Sequence, residues 1–220
     1  MNREFTTYTL PNGIRGIHRQ VKGSVAHCAL VIGAGSRDER PDEYGLAHFT
    51  EHAFFKGTQR RRAWQVNCRL ENLGGELNAF TTKEETTIHA TTLRGDFAKA
   101  VELIADVAFH STFPERELER EKEVIVDEIN TYKDSPVDMI YDTFEDMLFE
   151  GSELGHNILG RKAALMRYDG DAIRAFTART HTTDRMVFSS IGSFPARTAE
   201  AVAARYLAAE LASVRSFERK

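Results

Sequence analysis

Two histidines four residues apart, with a glutamate beside the second, interrupt an otherwise apolar stretch in the run GLAHFTEHAFFKGT at 45–58. On a helix His48 and His52 fall one above the other on a single face, and Glu51 reaches the rim of the same spot. Leu46, Ala47, Phe49, Ala53, Phe54 and Phe55 supply a dense apolar surface, and Gly57 stops the helix with Lys56 in its last turn. Charged groups held among such neighbours need a partner or a metal. The order H-x-x-E-H is the reverse of the zinc motif H-E-x-x-H, and it pairs two imidazole ligands with a carboxylate able to act as a base. A chain built around this segment must pack it inside and still leave its polar face open to a substrate.

Zinc in a catalytic site takes three protein ligands and keeps a position for water. The third ligand must come from elsewhere. The segment Pro114–Lys133 reads as a long helix, with Pro114 at its first position. Glu121, Val124, Ile125 and Glu128 share a face by helical spacing, so both glutamates are expected to look into the core. Glu128 is assigned as the third ligand, and Glu121 as the carboxylate that orients a ligand or tunes its charge. A lone H-x-x-E-H pattern is weak, and an acidic helix is ordinarily a solvated face. The argument rests on the two segments together.

These runs resemble the pitrilysin-like zinc metallopeptidases, the inverzincins that include insulin-degrading enzyme and the mitochondrial processing peptidase. The resemblance extends from about Thr9 to Gly192 and is carried in order by GAGSRDE at 33–39, GLAHFTEHAFFKGT at 45–58, LGGELNAFTT at 73–82, the pair Glu121 and Glu128, and the glycine loop at 155–160. It implies an α+β domain, a largely antiparallel mixed sheet packed against helices. It implies zinc on His48, His52 and Glu128, Glu51 as general base and Glu121 beside the ligands. Asn78 falls where the family touches the substrate backbone, and Ala79 and Phe80 lie on an edge strand that pairs with an extended peptide. The reaction it implies is peptide-bond hydrolysis, with Glu51 drawing the proton from water on zinc and returning it to the leaving amine.

Family subunits carry two or four related domains, and a second half supplies an arginine and a tyrosine to the substrate. This chain carries one. The resemblance therefore implies a heteromeric partner domain on another chain, another copy in a homodimer, or a downstream half absent from this sequence. The alternative reading is a half-enzyme or non-catalytic subunit that binds and presents peptides. Another is a peptide-binding module in which zinc only holds the fold.

At 220 residues the chain suits one domain over 1–212, with 213–220 as a tail or cut linker. A net charge of -4 gives no basic field, so nucleic acid is not an expected partner. Cys28 and Cys68 lack metal-ligand spacing, and Cys28 reads as a buried small hydrophobe. No leader-like stretch or membrane-length apolar run stands out, so no membrane partner and a cytoplasmic enzyme are expected. The remaining histidines read as packing or surface residues. The other elements expected are a hairpin of 5–10 and 14–21, strands at 25–32, 76–82, 86–93 and 186–191, and helices at 62–73, 96–110, 136–149, 169–179 and 195–211, with 161–165 as a turn.

Overall fold

Strand β3 (Val25–Ile32) shows how the sheet forms, because Ala26, Cys28, Leu30 and Ile32 alternate inward with half-exposed residues between them. This is a computed structural model, and it describes residues 5–219. The first four residues, part of the segment read as leaderless, and Lys220, the end of the expected tail, lie outside the described residues. Six strands form one sheet: β1 (Thr6–Thr9), β2 (Arg15–Gln20), β3, β4 (Glu76–Thr81), β5 (Thr86–Leu93) and β6 (Met186–Gly192). Their spatial order is β1-β2-β6-β3-β5-β4. Only β2 and β6 pair in parallel, and every other neighbour is antiparallel. The fold is α+β with a mixed, largely antiparallel sheet, as expected.

Helices cover one face of the sheet. They are α1 (Leu46–Ala53), α2 (Ala63–Glu71), α3 (Phe97–His110), α4 (Glu115–Lys133), α5 (Pro136–Leu148), α6 (Lys162–Leu165), α7 (Gly170–Thr180) and α8 (Ala196–Leu207). The apolar stripe of α3 (Phe97, Val101, Ile104, Ala105) packs on β3 and β5, and α8 packs on β2. The core lies between them, with Phe49 and Phe54 of the motif segment fully buried in it. The other face carries half-exposed residues such as Ile17, Ala29 and Thr91, which an antiparallel sheet tolerates against water.

Three expectations change. The segment at 161–165, expected as a turn, contains the short helix α6. Helix α8 ends four residues early because Asn12 Nδ2 donates to the Leu207 carbonyl at 2.8 Å and holds the helix end. On α4 the buried stripe is Leu118, Glu121, Lys122, Ile125 and Ile129, whereas Val124 is exposed. Glu128 is also exposed. It keeps the azimuth of Glu121 but lies seven residues, roughly 10 Å, further along the axis, next to the buried Ile129. Residues 213–219 lie against the body of the domain. Arg219 donates to Asp38 Oδ2 at 2.8 Å and to the Gly33 carbonyl at 3.0 Å.

Candidate metal centre

Helix α1 is held by its start. Gly45 adopts φ +93°, and a Cβ there would meet the Leu159 carbonyl at 2.8 Å. The glycine loop thus closes directly over the helix N-terminus, and only glycine permits both the left-handed backbone and the contact. The Glu39 carboxylate accepts from the backbone N–H groups of Gly45 (3.1 Å) and Ala47 (2.7 Å), satisfying donors the helix leaves open. Burial pushes the Glu39 carboxyl up, and the hydrogen bond from His156 opposes this. His156 stands 2.8 Å from Glu39 and stacks on Tyr44. It supports the entry to α1 and takes no part in the metal cluster.

With α1 fixed, His48 and His52 project from successive turns toward α4, their ring centroids 4.6 Å apart. Both Nε2 atoms stand 3.6 Å from Glu128 Oε2. That distance is too long for a hydrogen bond. Three electron-rich atoms therefore converge without bonding to one another. Two donors bound to a tetrahedral zinc at about 2.0–2.2 Å stand roughly 3.4 Å apart, so the gap is of the right size for the ion. The side chains His48, His52 and Glu128 are the one such cluster among the described residues. Burial, reinforced by the nearby His52, holds the His48 imidazole down at about 3, so it is neutral and its lone pair is ready for a metal at ordinary pH. The buried His48 Nδ1 has no hydrogen-bond partner.

Glu121 lies behind the cluster. Its Oε1 accepts from His52 Nδ1 at 2.8 Å, and its Oε2 pairs with Lys56 Nζ at 2.5 Å. Burial works against its ionisation, but these two contacts outweigh it and hold the carboxyl low. An ionised Glu121 fixes the proton of His52 on Nδ1 and turns Nε2 toward Glu128. Glu51 points from α1 to the end of β4. Burial and the Glu128 charge raise its carboxyl, while hydrogen bonds from the Thr81 hydroxyl and backbone N–H pull the other way.

Strand β4 is an edge of the sheet, paired only with β5. Asn78 and Phe80 are exposed, and Ala79 is half-buried. The Asn78 side chain accepts from the Ala79 N–H at 2.9 Å. The edge runs to Thr81, so it leads to Glu51. The contacts of Thr81 with Glu51, of Lys56 with Glu121 and of Glu39 with the start of α1 were not part of the sequence expectation. Lys56 was accessible to it, because 48, 52 and 56 repeat at one helical face. Thr81 required the packing of α1 on β4, which spacing does not encode.

The comparisons with known proteins agree with this geometry. Residues 17–162 match the family model described as Insulinase (Peptidase family M16). The chain belongs to that family. It is 39% identical over 188 residues to the zinc protease YmxG of Bacillus subtilis, covering 84% of this chain and 46% of that protein. It is 33% identical over 186 residues to the mitochondrial-processing peptidase subunit beta of Dictyostelium discoideum, covering 84% of this chain and 40% of that one. The chain thus spans about half the length of the curated relatives it matches. The fold follows the periplasmic protease PqqL of Escherichia coli with a TM-score of 0.92 at 21% identity, over 100% of this chain and 25% of that one. A peptidase M16 inactive domain from Pseudomonas fluorescens shares the fold at a TM-score of 0.89 and 19% identity, covering 98% of this chain and 53% of that one, so the fold alone does not carry activity. The His/His/Glu cluster fits the zinc cofactor of the M16 peptidases.

The expectation of a cytoplasmic enzyme is corrected. PqqL, whose fold this chain follows throughout, is periplasmic. The absence of a leader-like stretch in these residues assigns no compartment. Among the described residues, no helix is long and apolar enough to cross a membrane.

Proposed function

We propose that this chain is the metal-bearing domain of a zinc endopeptidase that cleaves extended segments of small or unfolded peptides, leader or precursor peptides among them. The observation that carries the reading is the convergence of His48 Nε2, His52 Nε2 and Glu128 Oε2, with a half-buried carboxylate, Glu51, adjacent to His52 and turned toward an open strand edge. Zinc held by the three side chains supplies Lewis acidity that polarises the scissile carbonyl and makes water a stronger acid. Glu51 accepts the proton from the attacking water and delivers it to the departing amine. Its raised proton affinity suits a group that must hold a proton and then release it. Glu121 keeps His52 in the tautomer that leaves Nε2 free.

The substrate adds as a further strand along β4. Backbone groups on its outer edge register the peptide, and Asn78, Ala79 and Phe80 line the path to Glu51. The cleft is completed by a second domain that supplies arginine and tyrosine contacts, a reading that rests on the resemblance to the pitrilysin-like peptidases.

The test compares the zinc-loaded protein with Glu51→Gln, each alone and mixed with the half of the Bacillus subtilis relative that this chain does not match. Zinc content and cleavage of a mixed peptide library are read together. Glu51→Gln is expected to keep one zinc and lose roughly 100-fold or more of the cleavage rate. Cleavage at the unsubstituted rate would remove Glu51 from its role.

A further inference from the structure

The Asp38 side chain has no exposed surface. A carboxylate so enclosed needs fixed donors and counter-charges. One donor is local: the Gly35 N–H stands 2.9 Å from Oδ2. The counter-charges come from the far end of the described chain. Arg219 forks onto the carboxylate, with Nε donating to Oδ1 at 3.0 Å and Nη2 to Oδ2 at 2.8 Å. Arg215, its side chain only 4% exposed, stands 3.6 Å from Oδ1.

The segment that brings these arginines is seated before it reaches Asp38. The Thr183 N–H donates to Ser213 Oγ at 3.0 Å, and the Asp184 N–H donates to the Ser213 carbonyl at 3.2 Å. The Arg215 N–H donates to the Asp184 carboxylate at 3.1 Å. Phe217 lies against the guanidinium groups of Arg179 and Arg215, 6.0 and 4.9 Å from its ring centre. Arg219 is therefore delivered to Asp38 along a fixed path.

The same guanidinium reaches the turn between β4 and β5. Its Nη2 also lies 2.6 Å from the Glu84 carbonyl oxygen and 3.0 Å from that of Gly33. The loop around Asp38 is itself laced to this turn. The Ser36 N–H donates to the Thr82 carbonyl at 3.2 Å and the Arg37 N–H to the Lys83 carbonyl at 2.8 Å. A Cβ on Gly35 would stand 2.4 Å from the Thr82 carbonyl oxygen, so loop and turn meet backbone to backbone. Thr82 follows Thr81, whose hydroxyl and N–H hold Glu51.

We infer that Arg219 and Arg215 are positioning residues, a strap that fixes the β4–β5 turn and, through it, the strand edge that takes the substrate. Strand β4 pairs on one side only, so the order of its far end depends on what holds the turn. An edge ordered in advance binds an extended peptide without the cost of ordering itself. The link to the substrate rests on the peptidase reading, whereas the clamp on the turn rests on the contacts of Asp38 and Glu84 alone.

The experiment follows amide exchange in the full chain for Arg219→Gln, which removes the charge, and Arg219→Lys, which keeps the charge without the fork. Exchange at Ser36, Arg37 and Thr82 is expected to speed by roughly tenfold or more in Arg219→Gln and by less in Arg219→Lys, with the α3 amides and the zinc content unchanged. In peptide cleavage the KM of Arg219→Gln is expected to rise about fivefold. A simple loss of folded protein lowers the amount of active enzyme and leaves KM where it was. Unchanged exchange at the three amides would overturn the clamp, and so would acceleration spread evenly into α3. Faster exchange with an unchanged KM would overturn the positioning role. A parent protein that cleaves no peptide would sink the peptidase reading instead, and the exchange rates would still decide the clamp.

Discussion

His52 and Glu121 show how one carboxylate can prepare a ligand. Removing its charge with Glu121→Gln is expected to weaken zinc binding by roughly 10- to 100-fold without unfolding the protein, read by competition with a chromophoric chelator. Unchanged zinc affinity would mean that the 2.8 Å contact does not tune the metal. His181 makes a separate prediction. It is half-buried, its Nδ1 hydrogen-bonds Thr180 Oγ1 at 2.9 Å, and its Nε2 is buried without a partner. Burial pushes the imidazole down to about 4 from the ordinary 6.5. As pH falls, the unfolded chain takes up this proton before the folded one does. The stability contribution is therefore complete above about pH 6.5 and is lost progressively toward pH 4. Chemical denaturation at pH 7 and pH 5 should show about 2 kcal/mol lost through this residue, a component missing in His181→Gln. Equal pH slopes for the two proteins would contradict it.

At the scale of elements, the placement of α1 depends on a close backbone approach. Gly45→Ala forces a side chain into the left-handed region and toward the Leu159 carbonyl, which stands 2.8 Å from the Cβ position. A loss of at least about 1–2 kcal/mol is expected in thermal unfolding. A variant as stable as the parent would show that the loop simply moves aside. Much of this level was legible in the residues. The run 25–32 read as a strand with Cys28 buried, as it is, and the 48/52 spacing gave the ligand face of α1. The exposure of Glu128 was not legible, because spacing gives a residue's azimuth on α4 but not which neighbouring elements cover it at that height. The partner of Glu51 was hidden for the same reason. Thr81 lies thirty positions away and meets Glu51 only because α1 packs against β4.

For the whole molecule, zinc binding and stability should be one measurement seen from two sides. A ligand that binds only the folded state stabilises it by mass action, so chelation should lower the melting temperature of the parent and leave a His48→Ala protein unmoved. The single sheet carries the edge strand, and α1 and α4 bring the His/His/Glu cluster together beside it. The central claim is that His48, His52 and Glu128 together hold zinc. X-ray absorption at the zinc edge of the protein loaded with one equivalent tests it most directly. The account predicts two imidazole nitrogens and oxygen donors at about 2.0–2.2 Å, with that signature lost in His52→Ala. Sulfur donors from Cys28 or Cys68, or no stoichiometric zinc, would contradict it.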